Sequence, residues 1–87
     1  MIKTTVFGIK LKHRMKNSLG LQEVLTEFGC NVKTRIGLHH VTDGVCSPDG
    51  IILLEVIGDD STIESFEAKI KAISGAELQK MSFSMDQ

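Results

Sequence analysis

From Thr4 to Leu11 the apolar residues Phe7, Ile9 and Leu11 alternate with Val6, Gly8 and Lys10, which is the two-residue period of a strand with one better-buried face. The period then changes. Asn17 or Ser18 can accept the free N–H groups of a helix start, and Leu21, Val24, Leu25 and Phe28 recur at three- and four-residue spacing until Gly29. Cys30 to Val41 alternates again, with Val32, Ile36 and Leu38 on one face and Lys33, Arg35 and His39 on the other, and a loop begins at Asp43-Gly44. Cys46-Ser47-Pro48-Asp49-Gly50, with its proline, reads as a turn. Between Gly50 and Gly58, Ile52, Leu54 and Val56 alternate with Ile51, Leu53 and Ile57, and only Glu55 interrupts. A strand apolar on both faces belongs at the centre of a covered sheet. Ser61-Thr62-Ile63-Glu64 matches a capping box, and Ile63, Phe66, Ile70 and Ile73 then form a helical stripe that ends near Ser74-Gly75. A last alternation, from Glu77 to Met85, sets Met81, Phe83 and Met85 against Lys80, Ser82 and Ser84.

The order β-α-β-β-α-β predicts an α+β, ferredoxin-like sandwich in one domain spanning residues 1–87, with two helices on one face of a four-stranded antiparallel sheet. The opposite face is left to water or to a partner. If Ile52, Leu54 and Val56 face the helices, Ile51, Leu53 and Ile57 lie on the open face, where leaving three large aliphatics wet costs about 1.5–3 kcal/mol each. Such a patch marks an interface. The chain is therefore expected to form a homo-oligomer, a dimer or a tetramer, through the sheet face, an edge strand or both.

Composition narrows the classes further. A chain of 87 residues removes only about 60–65% of its unfolded surface from water, so a sizeable ligand site is expected between subunits. A net charge of −1 argues against a dedicated nucleic-acid binder, and the lack of Tyr and Trp removes most stacking platforms for single strands. That charge is unevenly spread: residues 1–42 hold seven Lys/Arg against two Glu, and residues 43–87 hold three Lys against nine Asp/Glu. Cys30 and Cys46 give no disulfide framework, and Met1-Ile2-Lys3-Thr4-Thr5 is not the apolar segment of a signal peptide, so the cytoplasm is the expected compartment. The apolar run Ile51-Ile52-Leu53-Leu54 is far short of the ~20 residues that span a bilayer.

The run from Gly20 to Val32, Gly-Leu-Gln-Glu-Val-Leu-Thr-Glu-Phe-Gly-Cys-Asn-Val, resembles the first-helix signature of ACT domains: a Gly-Leu start, an aliphatic helix, a Gly stop and an Asn before the second strand. Arg35-Ile36-Gly37-Leu38, the stretch from Asp49 to Asp59, and Ile73-Ser74-Gly75-Ala76 resemble free-standing ACT-like proteins described as iron-only hydrogenase system regulators. The likeness spans nearly the whole chain. It implies a regulatory module without catalytic activity of its own that binds a small ligand at a subunit interface. Amino-acid-binding ACT domains carry an Asp-x-x-Gly-type turn after the first strand. Asn17, Ser18, Leu19 and Gly20 stand there in this chain and are the candidate ligand-binding residues, without a carboxylate to meet a ligand ammonium group.

His39, His40, Asp43 and Cys46 fall within eight residues, and thiolate with imidazole suits nickel, copper, zinc or iron. The ligand-sensing domain of nickel-responsive regulators is similar in placing strand-two histidines and a cysteine before strand three. Its His-x-His spacing puts both imidazoles on one strand face, whereas adjacent His39 and His40 point to opposite faces. Only one of them can easily join Cys46, and another subunit would complete the site. Lys10, Lys12, His13, Arg14 and Lys16 concentrate positive charge where the first strand meets the first helix, which suits either an anion or a solvated loop. No nucleophile with its base, paired carboxylates or phosphate-binding glycine loop stands out, and Asp59-Asp60 sit where a helix dipole favours acids. The expectation is a non-enzymatic, ligand-sensing homo-oligomer with no certain cofactor. The alternatives are a transition-metal sensor and a structural oligomerisation module.

Overall fold

Six elements follow in the order β1 (Ile2–Leu11), α1 (Arg14–Glu27), β2 (Val32–Thr42), β3 (Val45–Asp59), α2 (Asp60–Lys71) and β4 (Ala76–Ser84). They come from a computed structural model that describes the backbone of residues 2–12, 14–42 and 45–85, and the side chains of residues 2–12, 19–37 and 50–85. The strands form one sheet in the order β2-β3-β1-β4, and every neighbouring pair is antiparallel. This is the ferredoxin-like α+β arrangement that the alternating periods predict.

The core lies between the sheet and the helices. Phe7, Ile9 and Leu11 of β1 and Leu54 and Val56 of β3 meet Leu21 and Leu25 of α1 and Ile63, Phe66 and Ile70 of α2, all buried. Phe66 is the centre, with its ring 5.1 Å from that of Phe7 and edge-on to Phe28 at 5.3 Å. Both helical stripes read from the sequence face this core.

Four local expectations are corrected. α1 begins at Arg14, so Asn17 and Ser18 lie inside the helix rather than at its start, and residues 17–20 are not a turn. Arg14, Met15 and Lys16 have good helix propensity and carry the helix N-terminally past the polar pair. β3 begins at Val45, so Cys46 to Gly50 is strand rather than turn. Thr42 pairs with Val45, leaving only Asp43 and Gly44 between β2 and β3. Pro48 falls in the register shift between the pairs His39–Gly50 and Val41–Cys46, where the ladder does not demand its missing N–H.

The third correction concerns β2. A bulge between Val32 and Thr34 turns the strand over, so Val32 pairs with the core residue Val56 while Ile36 pairs with Leu53 on the opposite face. Val32 and Ile36 therefore do not share a face, and Arg35 instead reaches α1, donating to Gln22 Oε1 at 3.2 Å. Leu38 and His39, also assigned to β2 faces by the alternation, have side chains outside the described residues. The fourth is the cap of α2. Asp59, not Ser61, is the N-cap: its carboxylate accepts the Thr62 N–H at 2.9 Å and the Ser61 hydroxyl at 3.2 Å. Gly58 lets this first turn sit close, because a Cβ there would lie 3.1 Å from two carbons of Thr62. After α2, Gly75 takes φ 82°, the left-handed conformation that glycine adopts at least cost, and its carbonyl accepts from Lys12 N at 3.0 Å.

Candidate functional site

The face of the sheet turned away from the helices carries the features that need explaining. Among the described residues seven large hydrophobic side chains stay exposed, and six of them, Ile2, Ile36, Ile51, Met81, Phe83 and Met85, belong to this face. The antiparallel register fixes their rows. Ile57, Thr4 and Phe83 lie side by side across β3, β1 and β4, followed by Glu55, Val6 and Met81, then Leu53, Gly8 and Gln79, then Ile51, Lys10 and Glu77. Ile36 extends the third row, and Met85 continues beyond β4 with its N–H on the Ile2 carbonyl at 3.1 Å. Three of the four phenylalanines are in the core, and the fourth, Phe83, is 55% exposed on this side.

Ile51, Leu53 and Ile57, assigned to the open face from the alternation in β3, all lie there, Ile51 exposed and the other two half-buried. The single-strand reading missed Ile2, Ile36, Met81, Phe83 and Met85. One signal was present in β4. Its apolar residues sit at even positions, Ala76 and Leu78, and then at odd positions, Met81, Phe83 and Met85, while its pairing with β1 runs without a shift. The strand thus serves the helix core at one end and the open face at the other.

The face is graded along the strands. Lys10 and Glu77 are cross-strand neighbours at one end, Thr34 donates to Glu55 Oε1 at 2.9 Å at the β2 side, and the other end is apolar. Under the apolar end Thr4 is buried with its hydroxyl unpartnered among the described residues, while the next residue, Thr5, bonds Ser82 across the helix face at 3.1 Å. Near Gly8, which contributes no side chain, the surface sinks into two shallow depressions of ≈ 220 Å³.

The charged groups with shifted proton affinity lie on the helix side. Backbone and hydroxyl donors from Thr62 hold the Asp59 carboxyl below the usual range, and Lys71 and Lys80 do the same to Glu67. Asp60, 2.8 Å from Lys3, raises the Lys3 ammonium. Each has a sufficient structural role in fixing α2 to the sheet.

The remaining sequence candidates divide. Leu19 is exposed on α1 and Gly20 is half-buried, with Ile73 Cγ1 3.8 Å from where its Cβ would be. The side chains of Asn17, Ser18, His39, His40 and Cys46 lie outside the described residues, as do Asp43 and those of His13, Arg14 and Lys16. Backbone register still puts Cys46 opposite Val41, the residue after His40. Cys30 is a free, exposed thiol, and no group of three His, Cys, Asp or Glu among the described residues could hold a metal ion. No helix among the described residues is long and apolar enough to cross a membrane.

No protein-family model matches the chain, and no curated protein sequence does. Solved structures share its fold. An uncharacterized protein from Thermotoga maritima superposes with a TM-score of 0.82 at 23% identity, covering 97% of this chain and 100% of its own. A de novo designed protein, Foldit4, gives 0.62 at 14% identity over 99% of this chain and 100% of its own. CPII, a nitrogen regulatory PII-like protein from Thiomonas intermedia K12 solved with ADP, AMP and bicarbonate, gives 0.53 at 14% identity over 100% of both chains. These likenesses establish a ferredoxin-like fold, which natural and designed chains share without sharing a function.

Proposed function

We propose that this protein is a small non-catalytic regulatory module that works as a homo-oligomer and responds to a small-molecule effector. The observation that carries this reading is the open sheet face, where six large hydrophobic side chains stay 42–59% exposed on one surface, as at a subunit interface. CPII, a regulatory protein of the same fold, supports the effector part by what it binds. The resemblance of Gly20–Val32 and Asp49–Asp59 to iron-only hydrogenase system regulators directs the regulation to hydrogenase or redox metabolism in the cytoplasm. It also assigns the effector to Asn17, Ser18, Leu19 and Gly20, which lie in the first half of α1 rather than in a turn before it. A thermal-shift screen of small metabolites tests this: an effector at 100 times its Kd stabilises by about 2.7 kcal/mol, roughly 10–20 °C in a domain this size. Gly20→Ala, which fits beside Ile73, should keep the fold and lose the shift. A panel that moves nothing removes the sensor role and leaves a structural oligomerisation module.

The second reading is a metal sensor using His39 or His40 with Cys46, favoured by the register that brings Cys46 across the hairpin from Val41. Elemental analysis of untagged protein and titration of nickel, copper, zinc or iron into Cys46→Ala decide it. An affinity unchanged in the variant removes this site.

A further inference from the structure

We propose that a second copy of this chain packs face to face on the open sheet, with Gly8 as the hollow that receives projecting side chains. This pairing rests on the self-association proposed above and specifies how it is made.

Gly8 lies in the middle of β1, a strand with neighbours on both sides, paired to Leu53 and Gln79. Nothing among the described residues requires glycine there. Its φ is not in the left-handed region, and a Cβ would meet only Leu53 Cδ2 at 3.7 Å and the Gln79 carbonyl at 4.0 Å, ordinary contacts. A glycine inside a strand marks a bulge, a bend or a close approach by another group, and β1 pairs on both sides without a register shift, which leaves close approach. Both depressions on this face share Gly8, one extending toward Lys10 and Ile51 and the other toward Leu53 and Met81. The knobs are Met81, at the rim of one depression, and Phe83, two residues further along β4, each more than half exposed.

Knobs and hollow on one surface make it self-complementary, as a two-fold interface requires. Lys10 and Glu77, neighbours of opposite charge at one end, likewise give each copy both halves of an ion pair. The exposed Ile2, Ile36, Ile51, Met81 and Phe83, with the half-buried Leu53 and Ile57, run across all four strands, so a second copy laid on this face covers the whole width of the sheet. Pairing of two edge strands would extend the sheet and leave Ile51 and Met81 in water. Face-to-face packing buries them.

Two single variants of the full chain test the pairing. Gly8→Leu fills the hollow from within, and Met81→Lys charges a knob that is already 59% exposed in the monomer. Light scattering at micromolar concentration gives the mass, and circular dichroism melts confirm folding. The wild type should show about twice 9.6 kDa, and each folded variant should dissociate at least ~10-fold more readily, a change of about 1.4 kcal/mol. If Gly8→Leu does not fold, Met81→Lys decides alone. Wild-type association in a folded variant overturns the face-to-face arrangement while leaving self-association standing. A monomeric wild type overturns both, with the effector role still open to the thermal-shift screen.

Discussion

Gly58 and Gly8 occupy neighbouring central strands, and their surroundings predict opposite responses to the same substitution. A methyl group on Gly58 would press on Thr62 at 3.1 Å, in a helix turn already fixed by the Asp59 cap, so Gly58→Ala should cost about 1–2 kcal/mol in urea unfolding. Gly8→Ala meets only ordinary contacts and should leave monomer stability equal or slightly higher. Thr4→Val removes a buried hydroxyl that has no partner among the described residues and should add about 1 kcal/mol. The carboxyls of Asp59 and Glu67 are held below the usual range in the fold, so their contribution is complete above the unfolded carboxylate pKa, near 4, and is lost as pH falls through the lowered values. The urea midpoint should fall on acidification below about pH 4, and less steeply in Asp59→Asn, which keeps a capping oxygen without the charge. The cap itself was only half legible. Asp59 with Thr62 and Ser61 with Glu64 both have cap spacing, and the choice was made by Gly58, whose bare backbone allows the helix to start one residue after Asp59.

At the level of elements, the six periods and their order were readable because burial on one side imposes them directly. Phe66, in contact with Phe7 and Phe28, is the point where both helices and the sheet meet. Phe66→Ala should cost about 3–5 kcal/mol and unfold much of the protein at room temperature. What periodicity could not reveal was a change of phase. The bulge after Val32 inserts one residue and reverses the faces of β2, and no residue type there announces it. The loop expected to begin at Asp43-Gly44 ends at once, with Val45 already paired to Thr42, and the Ser-Pro-Asp-Gly sequence that reads as a turn lies within β3. In β4 the phase changes without a bulge, and the apolar residues simply move to the other face. The β3 part of the open face was therefore written in the sequence, and the larger part depended on knowing which strands lie beside β1.

At the scale of the molecule, the basic first half and acidic second half do not remain apart. The sheet order sets β1 between β3 and β4, and the halves meet within one chain, as in the ion pair of Lys3 with Asp60. The exposed apolar face, rather than the charge asymmetry, is the surface that a second copy would cover. The helix layer covers one side of the sheet, Gly8 opens a hollow on the other, and Phe83 is turned away from the phenylalanine core toward solvent. A second copy resolves all three features at once. Sedimentation equilibrium of the wild-type chain over micromolar concentrations measures this directly: a mass of about twice 9.6 kDa, or a higher even multiple, is predicted, and a mass of 9.6 kDa throughout would contradict the account.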